Sequence, residues 1–372
     1  MFAMKSEKFL RYANKRTMDE DAGLNQYSLM KAKQRNTKRK VSAVLTAAVL
    51  LSGCSGSLPA SGNSNGSIEE PAMAYEAGTL IMGTGEESGL VHLAGAAVAA
   101  VINNTVPGIH VALEPSKGSM INATNVSEGD LDLALISGDV AYDAMHGAYA
   151  FEGKSLDNLC VLGACYQEVS GWAALESSGL TMVHDLKGKI ISTGNKASAT
   201  ELASDDVFEV IGIDSTNSEL YSDSIGASVA HVKRQTADAS HAFGPVPNGN
   251  HESIAAEMGI SVLSYTEEEL EAILLKEPRY FKTEIPAGTY TGQEEAIPTF
   301  GIKVLLCASD QMDEDLAYEI ARALDLNGPT YCGGHKFMEA MLDETFLCNE
   351  LPIPLHEGAK RYYEELGFLA EP

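Results

Sequence analysis

The stretch that most constrains the fold is Thr79 to Asn104, TLIMGTGEESGLVHLAGAAVAAVINN. Leu80, Ile81 and Met82 read as a short apolar strand, followed by a Gly-Thr-Gly turn and a helix that opens near Ser88. Leu90, Val91, Ala94, Ala97, Val98, Val101 and Ile102 recur at three- and four-residue spacing, which is one face of an α-helix. Gly95, Ala96, Ala99 and Ala100 are small enough to let that helix pack closely on a sheet. A glycine turn carrying Thr84 and Ser88 at a helix start offers unpaired backbone N–H groups and hydroxyls, which suit an anionic or carboxylate ligand. An ordinary capped β-α turn has the same appearance. A dinucleotide fold fits poorly: Ser88 takes the third glycine's place, Glu86 and Glu87 would face a pyrophosphate, and Glu114 comes too late for the ribose.

The first 53 residues stand apart from the folded body. A basic region (Lys31, Lys33, Arg35, Lys38, Arg39, Lys40) precedes a short apolar run, Val41 to Leu51, and then Leu51-Ser52-Gly53-Cys54. Basic, apolar and small-residue segments in that order describe a secretory signal too short to span a bilayer. Its ending resembles a bacterial lipobox, which implies cleavage before Cys54 and acylation of that cysteine. Met30 is the start that gives a conventional signal length. Residues 54–78, rich in Ser, Gly, Asn, Pro and Ala, read as a flexible tether.

The rest is long enough for two α/β domains. Of 26 basic and 52 acidic residues, 11 and 4 lie before Cys54, which leaves the chain from Cys54 onward at net −33. Such a charge opposes nucleic acid and anionic lipid, so acylation rather than a basic patch has to hold the protein at a membrane. Five further cysteines are an odd number. Cys160, Cys165 and Cys307 fall in apolar runs and read as core residues, while Cys332 and Cys348 flank a short helix and are the one pair to consider. No C-x-x-C or H-E-x-x-H occurs, and no G-x-S-x-G lies in the body beyond the tether, so no metal, cofactor or catalytic residue is expected and the chain does not read as an enzyme.

Along the body, strands at His110–Glu114 and Leu131–Ser137 alternate with helices at Met120–Glu128 and from Asp139 to Met145. Short loops between them indicate a parallel sheet with covered faces, whose ligands lie beyond the strands' C-terminal ends. Thr84, Lys117, Ser119, Asn122, Ser137 and Asp139 are then candidates on one rim. Leu159–Tyr166 and Gly171–Leu175 read as two further strands. Ile190–Thr193 opens onto Gly194-Asn195-Lys196-Ala197-Ser198-Ala199-Thr200 and a helix, which repeats the first theme and adds Asn195, Ser198, Thr200 and Lys196. Phe243 ends the Ala239–Phe243 strand and Pro247 lies in the loop after it, Tyr290 stands in a proline-bounded stretch as a cleft-wall aromatic, and His92 sits on the inner side of the first helix. Each has a plain structural alternative: helix caps for the hydroxyls and Asp139, packing for Tyr290 and His92, solvent for the lysines.

Four ordered blocks then carry a family pattern: Gly83-Thr-Gly with Gly89 and Gly95; Ser116-Lys-Gly-Ser119 with Asn122, Asp132-Leu-Ala-Leu135 and Asp139-Val-Ala-Tyr-Asp-Ala144; Leu186-Lys-Gly-Lys189 with Gly194, Ser198 and Thr200; and Ile285-Pro-Ala-Gly-Thr-Tyr290 with Gly292-Gln293 and Pro298-Thr299. With the ending Glu357-Gly-Ala, Tyr362-Tyr363 and Glu365-Leu-Gly367, the chain resembles the TAXI-type substrate-binding lipoproteins of TRAP transporters. That resemblance implies a two-lobed periplasmic-binding-protein-like α/β fold of type II with a hinged cleft. It further implies lipid anchoring on the extracytoplasmic face of the cell membrane. The implied task is capture of a small organic anion or amino acid such as glutamate for an ion-coupled TRAP permease. The expected division is domain I at 79–172 and 287–372, and domain II at 173–286. Ser88-Gly89-Leu90-Val91-His92 replaces the family's Gly-Gly-Thr-Tyr-Tyr, removing two aromatics that commonly shape the pocket. A lipoprotein of the same fold that senses a solute and docks to a receptor kinase is the alternative function.

Overall fold

The computed structural model describes residues 75–369, apart from 88, 197, 329 and 331–333. The signal region, Cys54, most of the tether, Ser88 and Cys332 therefore lie outside the described residues. Ten strands form one mixed sheet in the order β2-β1-β3-β10-β4-β7-β5-β6, with β8 on β4 and β9 on β10. β1 (Gly78–Gly83) lies between β2 (Ile109–Glu114) and β3 (Leu133–Ser137), parallel to both. β5 (Ile190–Ser192) lies in the same way between β6 (Glu219–Tyr221) and β7 (Ala239–Gly244). Two parallel triplets of identical strand order thus recur in one chain, although no sequence repeat announces them.

The expectation of a parallel sheet holds within each triplet and fails between them. The triplets are joined by two long antiparallel strands, β4 (Leu159–Leu175) and β10 (Ile297–Ser309). The two strands expected at Leu159–Tyr166 and Gly171–Leu175 are one. The polar pair Gln167 and Glu168 reads in sequence as an interruption, yet β4 continues through it because β10 pairs with it on one side, Ile302 opposite Glu168 and Lys303 opposite Gln167. At Val169 the strand acquires a second partner, β7.

Register places the ends of the triplets. Ser137, the end of β3, is opposite Val304, which is opposite Tyr166 of β4. Gly244, the end of β7, is opposite Val169. β3 runs parallel to β4 and β7 runs against it, so the two triplets meet with their C-terminal ends head-on. Only Gln167 and Glu168 separate those ends along β4.

Helices cover both faces, which is why β3 is buried on both sides and reads as a continuous apolar run. α1 (Leu90–Thr105), α2 (Ser119–Ser127) and α3 (Gly138–His146) follow β1, β2 and β3. α4 (Ala199–Ile211), α5 (Ile225–Lys233) and α6 (Gly249–Met258) follow β5, β6 and β7. α7 (Glu267–Lys276) precedes β9 (Phe281–Ile285), while α8 (Glu314–Leu326) and α9 (Glu357–Leu366) close the chain on the first triplet's side. β8 (Ile260–Leu263) completes the set. Met82, Val98, Ile102, Leu135 and Tyr363 anchor one apolar cluster, and Trp172, Val207, Phe208 and Phe300 another. Cys165 and Cys307 are fully buried, in line with their reading as core residues, whereas Cys160, read in the same way, is only half-buried near the start of β4; Cys348 is a free thiol. Among the described residues no helix is long and apolar enough to cross a membrane.

Candidate functional site

The first cluster forms where β1, β2 and β3 end. Thr84 is fully buried, and its Oγ1 lies 2.9 Å from His92 Nδ1 on α1. The Thr84 carbonyl accepts the Ser116 hydroxyl at 2.6 Å and Asn122 Nδ2 at 2.8 Å, and the same amide donates to Leu135 O at 2.9 Å. Asn122 thereby ties the β1 turn to β3, and its Oδ1 is buried without a hydrogen-bond partner among the described residues. Ser119 Oγ accepts the Ser137 N–H at 2.9 Å, and the Ser137 hydroxyl donates in a short bond to Asp139 Oδ1. That carboxylate oxygen also accepts the Val140 N–H at 2.8 Å, at the start of α3. Thr84, His92, Ser119, Asn122, Ser137 and Asp139 are therefore brought together. A side chain at Gly95 would place its Cβ 2.4 Å from Thr84 Cγ2, so only glycine lets α1 lie this close to the turn.

The second cluster repeats the arrangement. Ser198 caps α4 by accepting the Glu201 N–H at 3.2 Å, and Thr200 Oγ1 accepts the Phe243 N–H at 3.3 Å. Gly194, at φ +93°, stands where a Cβ would lie 2.6 Å from Thr200 Cβ, the counterpart of Gly95 against Thr84. Phe243 packs 6.0 Å from both Tyr280 and Phe300, ring centre to ring centre. Asn195 is exposed, as are Lys117 and Lys196. Tyr290 is elsewhere. It is buried in the cluster of Val229 and Ile254, accepts the Asn248 N–H at 3.0 Å, and acts as packing rather than as a cleft wall.

Between the clusters stand residues that sequence reading missed. Glu168, on β4 between the two triplet ends, is pushed up to about 7, first by burial and then by the charge of Asp139. Tyr280 donates to Asp206 Oδ2 at 2.7 Å and is pushed well up, mainly by burial and Asp206, with Asp139 contributing from the opposite cluster. Arg279 is buried, pairs with Asp206 and Glu277 at 3.4 and 3.0 Å, and stacks over Tyr149 at 5.3 Å. A cavity of about 270 Å³ opens beside these groups, lined by Arg279, Tyr280, Lys282, Lys303, Glu350 and Pro352. Lys303 is buried in β10, donates to Phe346 O and Asn349 O at 2.9 and 2.8 Å, and faces the rings of Phe281 and Phe346. Burial pulls its ammonium down to about 8. The one available signal was a lone lysine inside the apolar run Gly301–Ala308. Ser224, which caps α5 in the position corresponding to the Ser116–Ser119 turn, could have been found only through the strand order.

The arrangement holds polar groups at helix starts on two opposed rims, with acidic groups between them and basic groups at one side. Among the described residues no group of three His, Cys, Asp or Glu side chains could hold a metal ion. Such geometry suits reversible capture of a small polar molecule.

Comparison with solved structures agrees with the fold. A TctC solute-binding protein from Polaromonas superposes with a TM-score of 0.50 at 11% identity, over 78% of this chain and 98% of that one. The periplasmic aliphatic sulphonate-binding protein SsuA from Escherichia coli is 14% identical over 78% of this chain and 79% of its own, with a TM-score of 0.42. The fold is the mixed α/β fold of periplasmic solute-binding proteins. A family model described as NMT1-like matches residues 82–367, so the chain belongs to the NMT1-like family.

Proposed function

We propose that the protein is an extracytoplasmic solute-binding protein of the TAXI type, which captures a small organic anion or amino acid and delivers it to an ion-coupled TRAP permease. The observation that carries this reading is the head-on approach of two matching triplets, each ending in a hydroxyl-rich turn at a helix start. The solute's carboxylate is held by N–H groups and hydroxyls of the Thr84, Ser119 and Thr200 turns, which avoids burying a second full charge against it. Lys303, which lines the adjacent cavity beside Glu350 and the ion-paired Arg279 and Lys282, supports an acidic group there, and Glu168 with Asp139 supports an amine on the same molecule.

In this reading residues 79–172 and 287–372 form one lobe and 173–286 the other. The change of partners along β4 at Val169 supports a boundary close to the first of these. Acylated Cys54 anchors the protein to the bilayer, and Cys54→Ala releases it from the membrane fraction.

Native mass spectrometry of protein purified without refolding tests the central claim. A co-purifying organic acid or amino acid that is displaced in Thr200→Ala supports it. A bare protein that takes up no member of a carboxylate and amino-acid panel, in calorimetric titration, overturns it.

A further inference from the structure

We propose that His241 is a positioning residue for the second polar turn, and that the chain's single tryptophan, Trp172, reports the state of that turn. The proposal rests on the reading that this turn contacts solute. His241 is fully buried on β7. Its Nδ1 lies 3.2 Å from the Thr200 carbonyl oxygen and 2.7 Å from Ser204 Oγ, while its Nε2 lies 2.9 Å from Ser170 Oγ.

A carbonyl oxygen only accepts, so these partners assign the ring proton to Nδ1. Nε2 is then bare and accepts the Ser170 hydroxyl. Ser170 Oγ in turn accepts from the Tyr265 hydroxyl at 3.2 Å, which accepts from Trp172 Nε1–H at 2.8 Å. Every donor in the series points the same way, from Trp172 through Tyr265, Ser170 and His241 to Thr200. Burial pulls the imidazole down to about 3, so the series keeps this direction at neutral pH. The indole and imidazole rings also stack, 4.1 Å apart and 4° from parallel.

What the series holds is the first turn of α4. Ser204 Oγ reaches both Thr193 O and Thr200 O, at 3.1 and 2.9 Å, and so closes the turn between the end of β5 and α4. The Thr200 hydroxyl is fixed by the N–H of Phe243, two residues beyond His241 on the same strand. The turn thus takes its position from β7, and a displacement of Thr200 is transmitted to the ring stacked on Trp172.

The test compares two amide substitutions. His241→Asn keeps a donor near Nδ1, whereas His241→Gln places its amide near Nε2 and removes the ring donor that Ser204 Oγ and the Thr200 carbonyl share. Backbone hydrogen exchange of the ligand-free protein over residues 195–202 should be close to wild type in His241→Asn. It should be roughly 2- to 10-fold faster in His241→Gln, the scale set by the loss of one buried hydrogen bond. Ser170→Ala, which cuts the series beyond His241, should shift Trp172 emission and leave exchange in the turn unchanged. Equal exchange in all variants overturns the proposal, as does Trp172 emission unmoved by every substitution.

A second arm adds L-glutamate and succinate as probes. Binding that is weakened more in His241→Gln than in His241→Asn supports the role in solute capture. No binding of either probe by the wild type counts against the solute reading alone, because the ligand-free exchange still decides whether His241 positions the turn.

Discussion

Ser137 and Gly244, the last residues of β3 and β7, reach the levels of Tyr166 and Val169 on β4 from opposite directions, with only Gln167 and Glu168 between those levels. Glu168 stands at this level of the sheet, and the charged form of its carboxyl is disfavoured first by burial and then by Asp139. Glu168→Gln removes that charge without changing shape. The variant is expected to melt higher than wild type above pH 7, where the wild-type group is ionised in both states. It should match wild type below about pH 4.5, where it is protonated in both. Thermal melts of both proteins across pH 4 to 9 measure this.

Thr84→Val keeps the volume and removes the hydroxyl. His92 Nδ1 then loses its partner at 2.9 Å in a turn where Thr84 is fully buried. His92 is only partly buried, so this loss costs roughly 0.5–1.5 kcal/mol of stability, whereas a polar group of an enclosed solute left unsatisfied costs roughly 1–3 kcal/mol of binding. The melting temperature should fall, and any solute held by this turn should bind about 5- to 150-fold more weakly. His92→Phe in the same background should lower stability less than it does alone, because the shared bond is already gone.

Gly95→Ala and Gly194→Ala separate packing from backbone strain. At Gly95 the new methyl meets Thr84 Cγ2 at 2.4 Å with ordinary helical geometry, so the cost is overpacking, about 1–3 kcal/mol. At Gly194 the residue is at φ +93° and the methyl also meets Thr200 Cβ at 2.6 Å, so strain adds to the clash. Urea titration should therefore rank Gly194→Ala as the more destabilised. Both should displace the threonine of their own turn, measured as loss of solute binding in whichever variant remains folded.

Much of the fold was legible because local pattern determines local structure. The three- and four-residue spacing that opens near Ser88, and the alternation of strands with helices at Met120–Glu128 and Asp139–Met145, each placed a helix within a residue or two. Pairing between distant strands leaves no such mark. The joining strands β4 and β10, separated by more than a hundred residues, could not be seen to pair, and so Glu168 read as a break and not as the centre of a seam. The polar turns were legible because hydroxyls and glycines gather at helix starts. Arg279, Lys303 and His241 were not, since their roles depend on what lies across the sheet from them. Tyr290 shows the converse: an aromatic among prolines looks like a cleft wall, but its partners bury it.

The buried histidines set the response to acid. Burial holds His241 at about 3 and His251 at about 4, against an ordinary value near 6.5. Between pH 6.5 and 4 the unfolded chain therefore binds protons at these two positions that the folded protein refuses; His356, also lowered by burial, adds in the same direction, and stability falls as pH falls. Each contributes up to about 1.4 kcal/mol per pH unit. Glu168 acts in the opposite sense. Its folded value of about 7 lies above the unfolded one, so between pH 7 and 4.5 the folded state takes the extra proton and gains stability on acidification. The expected net slope below pH 6.5 is thus at least about one histidine's worth, with His356 adding to it, and it steepens below pH 4.5 once Glu168 is protonated in both states. His251 is held through Ser240 at 3.3 Å, apart from the Thr200 turn, and makes the cleaner probe. His251→Asn should lose stability at pH 7 through poorer packing and also lose most of the slope between pH 6.5 and 4.5. Urea midpoints at half-unit pH steps decide it: a variant as acid-sensitive as wild type would show that His251 is not the group refusing the proton.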